Sequence, residues 1–104
     1  MDSRFRAALR SEAQSLDPYV MVGHDGLTDG VVSALDEALK CHELVKVRFQ
    51  AFKDEVSDMS LALAEKVNAE FVCKTGFTAV YFRENPEIKA FASLRARCTY
   101  RRNK

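Results

Sequence analysis

The stretch Val20-Met21-Val22-Gly23-His24-Asp25-Gly26-Leu27-Thr28-Asp29 decides how the rest of the chain is read. Its apolar start, with two β-branched valines, suits a short buried strand. Two glycines then bracket a polar pair. Thr28 or Asp29 stands where a helix is capped, with acid in the first turn. In such a strand–loop–helix setting, bare amides and a helix N-terminus attract phosphate. Glycine on both sides leaves no Cβ in the way of a sugar-phosphate backbone. A tight strand-to-helix turn also needs glycines, so Gly-x-x-Gly alone leaves both readings open.

Upstream, Phe5, Leu9, Ala13 and Leu16 recur at helical spacing over residues 3–16, with Arg4, Arg6 and Arg10 off that stripe. Asp17-Pro18 ends this helix, because a residue before proline is driven out of the α region. Downstream of the loop, Val31, Leu35, Ala38, Leu39 and His42 mark the apolar face of a second helix. Residues 44–49 alternate, with Val45, Val47 and Phe49 on a dry side and Lys46 and Arg48 on a wet one. A third helix spans 54–67 on Val56, Met59, Leu63 and Val67. Residues 70–74 and 78–83 flank Thr75-Gly76-Phe77 and read as a hairpin.

The order is therefore α-β-α-β-α-β-β. It predicts a two-layer α/β sandwich with a four-stranded mixed sheet and helices on one face. The other face is expected to be partly open, with Lys46, Arg48, Lys74, Tyr81 and Arg83 projecting from it. Residues 1–85 form the expected domain. Residues 86–104 add a short helix, opened by Pro86 and carried by Ile88, Phe91 and Leu94, and then a basic tail.

A chain of 104 residues supports one core. No apolar run approaches the ~18 residues of a membrane helix. The first residues carry no apolar segment behind their arginines, so no secretory signal is expected and the cytosol is the expected compartment. Three cysteines, Cys41, Cys73 and Cys98, without CxxC spacing suit reduced, mostly buried thiols. Net charge is only +1, but it is unevenly spread. From Asp17 to Glu43 six acids face one base, whereas from Arg83 to Lys104 seven bases face two acids. A basic surface of this kind fits a polyanion, nucleic acid first, although a solvated tail has the same composition.

Catalytic and metal signatures are missing. Cys41 and His42 are adjacent, so on a helix they point about 100° apart and share an ion poorly. No HExxH, GxSxG or phosphate-binding GxxxxGK[ST] pattern occurs. Asp25 and Asp29 lack the ladder of a calcium loop. No enzyme activity, metal, cofactor, small-molecule substrate or membrane partner is expected.

The whole layout resembles the CRM domain, or YhbY-like, family. The phrases that carry the resemblance are Gly23-His24-Asp25-Gly26-Leu27-Thr28, His42-Glu43-Leu44-Val45-Lys46-Val47-Arg48 and the hairpin Thr75-Gly76-Phe77-Thr78-Ala79-Val80-Tyr81-Phe82-Arg83. The resemblance implies a fold similar to the C-terminal domain of bacterial translation initiation factor three. It also implies a loop comparable to that of KH domains, where GxxG clamps about four backbone nucleotides. Stand-alone members look like bacterial factors that associate with precursors of the large ribosomal subunit. The chain departs from the family pattern at two positions, where basic residues are usual: the loop pair is His24-Asp25, and Phe77 follows the hairpin glycine.

The expected function is therefore binding of ribosomal RNA during large-subunit assembly. Gly23, His24, Asp25, Gly26 and Thr28 form the loop. Lys46, Arg48, Lys74 and Arg83 supply charge, with Arg6 and Arg10 beside them, and Tyr81 is a candidate for base stacking. The alternative is a protein-interaction module acting on a ribosomal or other partner protein.

Overall fold

The computed structural model describes residues 2–85. Helix α1, Ser3–Ala13, starts where the Asp2 carboxylate accepts from Arg4 N at 2.7 Å. It ends three residues before the expected Leu16, as the Gln14 N–H turns back to Ser11 O in a tighter 3₁₀ closure. Strand β1, Val20–Val22, leads through the glycine loop into α2, Asp29–His42. Thr28 is the cap, its hydroxyl accepting from Val31 N at 3.2 Å. Strand β2, Leu44–Phe49, is followed by a 3₁₀ turn at Lys53–Glu55 and by α3, Val56–Val67. Strands β3, Glu70–Thr75, and β4, Thr78–Phe82, complete the chain's regular structure among the described residues.

The sheet is mixed, in the order β1-β2-β4-β3. β1 runs parallel to β2, and both other pairings are antiparallel. The α/β class, the element order and the four-stranded mixed sheet are those expected. The layering is not. Helices α2 and α3 cover one face, built on Val20, Val22, Val45, Val47, Phe49, Ala79 and Tyr81. On the opposite face Phe5, Leu9 and Ala13 of α1 pack against Leu44, Val72, Val80 and Phe82.

The reason lies in β4, where Ala79-Val80-Tyr81-Phe82 is apolar at both parities and so needs cover on both sides. Phe5 closes edge-on against Phe82 with centroids 5.3 Å apart. Each large side chain so buried contributes roughly 1.5–3 kcal/mol. A register shift between Phe71 and Cys73 lets Val72 and Cys73 both join the α1 side, while Phe71 stays against the α2–α3 core.

Glu43 makes the turn from α2 into β2 with φ 62, although it is not glycine. It is buried, its carboxylate accepts from Asn85 N at 2.6 Å, and its carbonyl accepts from Arg83 N at 2.9 Å. These bonds hold the helix end against the chain leaving β4. The expected helix and basic tail after Pro86 lie outside the described residues. So does Cys98; of the other cysteines, Cys73 is half-buried but Cys41 is exposed, and both are free thiols.

Candidate functional site

The loop closes on itself: Gly26 N donates to Gly23 O at 3.1 Å, and Thr28 N donates to Gly26 O at 3.0 Å. Its two glycines differ in what the backbone asks of them. Gly26 has φ +73, a left-handed conformation in which side chains are strained. Gly23 has no such φ, and a Cβ added there would meet nothing within 4 Å. Its missing side chain therefore leaves open space. His24 and Asp25 are exposed at the tip. The Thr28 hydroxyl is taken up by the helix cap, which gives it a structural role.

Arg48 lies in the middle of a track across the sheet. It stands opposite Met21 of β1 on one side and Thr78 of β4 on the other, all on the α1 face. Beyond Thr78 a cleft of about 270 Å³ opens between α1 and the sheet, with Arg10, Gln14, Lys46, Thr75 and Thr78 supplying its polar lining. No carboxylate lines it, so the cleft offers hydrogen-bond donors and positive charge. Lys46 is half-buried there and donates to Leu16 O at 3.0 Å. Burial pushes the neighbouring Cys73 thiol up, while the charges of Arg10, Lys46 and Arg6 pull it the other way. Those three cations thus act on one spot. In the other direction Arg48 neighbours the exposed Met21, two residues before Gly23. Arg6, Arg10 and Arg48 are exposed and make no ion pair among the described residues.

The other expected residues are not brought here. Lys74 is exposed but pairs with Ala79, a residue of the α2–α3 face. Arg83 is bound into the structure: Nη1 donates to Asp36 Oδ1 and to Val67 O, both at 2.7 Å, and Nη2 donates to Asp36 O at 3.0 Å. Its guanidinium seals the seam between α2, α3 and β4. Arg83, with Lys40, holds the Asp36 carboxyl below the usual carboxylate range. Tyr81 is fully buried and donates its hydroxyl to Ser60 O at 2.8 Å. The ring belongs to the core and offers no face to a base, which corrects the stacking expectation; burial raises its pKa. The common open face expected for these residues is therefore divided between two sides of the sheet.

Sequence reasoning missed Gln14, Met21, Thr75 and Thr78, whose place beside Arg48 and Lys46 depends on strand register and helix docking. It also passed over Phe52, which adopts φ 57, ψ 41 and presses its ring toward Gly26. Such a conformation costs a non-glycine residue about 1–3 kcal/mol. Among the described residues no three His, Cys, Asp or Glu side chains are grouped to hold a metal ion, and no helix is long and apolar enough to cross a membrane.

A mixed four-stranded sheet with helices on both faces, a glycine loop at the end of β1 and exposed cations on the α1 face define a small α/β domain. The family model for the CRS1 / YhbY (CRM) domain matches residues 1–83, and the chain belongs to that family. It is similar to a Haemophilus influenzae protein named "RNA-binding protein", with 31% identity over 90 residues, 86% of this chain and 91% of the relative. A Bacillus subtilis relative, "Probable RNA-binding protein YqeI", is 34% identical over 82 residues, 78% of this chain and 85% of its own length. The solution structure of the hypothetical protein SAV1595 from Staphylococcus aureus superposes with a TM-score of 0.76 at 28% identity, covering 86% of this chain and 95% of that one.

Proposed function

We propose that this chain is a non-catalytic RNA-binding protein whose target is ribosomal RNA, carried by precursors of the large ribosomal subunit in the cytoplasm. The observation that carries the reading is that Arg10, Lys46, Arg48 and Met21 share the α1 face, with the open side of Gly23 two residues beyond Met21. Cations without carboxylate partners attract phosphates, and binding then releases counterions from the RNA. The names of the relatives support RNA as the ligand class. The His24-Asp25 tip lacks fixed positive charge, so most of the affinity comes from the sheet track, with the loop giving close backbone approach.

Crosslinking in cells, followed by sequencing of the bound RNA, tests the target. Enrichment of large-subunit precursor RNA is the expected result, and messenger or small-subunit RNA in its place refutes it. Pull-down after RNase treatment tests the class: partners lost on digestion fit RNA binding, and protein partners retained in full overturn it.

A further inference from the structure

Phe52 and Phe77 are large apolar side chains left in solvent, 39% and 45% exposed. They belong to neighbouring loops at one end of the sheet. Phe49 N donates to Phe77 O at 2.7 Å, and Phe52 follows Phe49 closely in the chain. Lys53 links them, since it adjoins Phe52 and sets its Nζ 5.0 Å from the centre of the Phe77 ring. The Phe52 ring borders the glycine loop: its edge atoms lie 3.6 and 3.8 Å from where a Cβ on Gly26 would be.

Contacts within the fold use only part of each ring. Phe52 occupies a left-handed conformation that glycine or asparagine adopts more easily, so the backbone does not call for a phenyl group. Phe77 sits in a turn where a polar residue would be equally well solvated. Lys53 stands at the pair, in a turn that also carries the exposed Asp54 and Glu55. Lys53, Lys74 and Arg48 are exposed and make no ion pair among the described residues.

We propose that Phe52 and Phe77 are stacking platforms for unpaired RNA bases, and that Lys53 holds the phosphate beside them. The inference rests on the RNA-binding reading and adds the form of RNA: a single-stranded segment whose bases are free to leave their own stack. In a double helix the base faces are covered by their neighbours, and rings at this end would have nothing to meet. Aromatic stacking accepts every base, so the platform gives strand preference without sequence preference.

The test measures affinity of the full chain for three probes: a short single-stranded RNA, the same strand annealed to its complement, and the same strand with abasic sites at its centre. Phe52→Leu and Phe77→Leu keep apolar bulk and lose the aromatic face. Each is expected to weaken single-strand binding about tenfold and to leave duplex and abasic binding nearly unchanged. Phe52→Gly relieves the backbone strain, should stay folded, and should show the same loss. Equal losses on intact and abasic strands, or no loss on either, overturn the stacking role while RNA binding stands. Failure of the unaltered protein to bind any of the three probes overturns both.

Discussion

The two faces of the sheet treat their charges in opposite ways. On the α2–α3 face Arg83 is only 22% exposed and spends its guanidinium on Asp36 and on a helix-end carbonyl of α3. On the α1 face Arg48 is exposed beside a cleft lined by Arg10 and Lys46, with no carboxylate in its lining. Both arginines lie at or next to a strand with apolar neighbours, so composition does not distinguish them. A cation with protein partners at good geometry holds a fold together, and one without them stays open to solvent. The α1 helix makes this difference possible, because it covers Leu44, Val80 and Phe82 but leaves the Met21–Arg48–Thr78 corner open.

The comparison is most vulnerable at α1 itself. Leu9 is fully buried in the α1-side cluster, and Leu9→Ala should cost about 3 kcal/mol in denaturant unfolding. A loss below about 0.5 kcal/mol would mean that α1 does not cover this face. Arg83→Ala comes next. It leaves the Val67 carbonyl without its side-chain donor and Asp36 with Lys40 alone, and should cost about 2 kcal/mol, with RNA affinity per folded molecule unchanged. Arg48→Ala should do the reverse, altering stability by less than about 0.5 kcal/mol and lowering the log–log salt slope of RNA binding by about 0.7 for one lost phosphate contact. Identical behaviour of the two arginine variants would erase the contrast between the faces.

Acid sharpens the same contrast. The folded Asp36 carboxyl titrates below its unfolded value, with Arg83 as the first cause. Its contribution is therefore present in full above the unfolded carboxylate pKa of about 3.9 and is lost as pH falls through the lower folded value. The stability difference between wild type and Asp36→Asn should be flat near neutrality and shrink below about pH 4. A difference that grows on acidification would contradict the pairing. The smallest effect separates the two glycines. Gly26→Ala should cost about 1 kcal/mol through its positive φ. Gly23→Ala should leave the melting temperature unchanged and weaken RNA binding a few-fold, by intruding on the space where the phosphate approaches.

Helix and strand order, the hairpin and the glycine loop were legible because each is written in short-range signals. The stripe Phe5, Leu9, Ala13 needs only its own helix, and Val45, Val47 and Phe49 need only their own strand. A cap at Thr28 or Asp29 follows from neighbours a few positions away, and Thr28 takes that place. What failed was the assignment of faces. The alternation of Lys46 and Arg48 suggested a wet side, but Leu44, Val80 and Phe82 share that side and draw α1 onto it. The β3 register shift added a parity change that no local pattern announces.

The sequence by itself determined which segments are helix and strand, the order in which they follow, and the glycine loop between β1 and α2. Only the tertiary structure decided which cations are free. Arg83 meets Asp36 across 47 positions of chain, and Arg48 meets Thr78 only through strand pairing. Periodicity is set by residues within a turn or two of one another. Partnership between charges is set by which distant segments share a face, and that is known only once the hydrophobic surfaces on both sides of the sheet have found their cover.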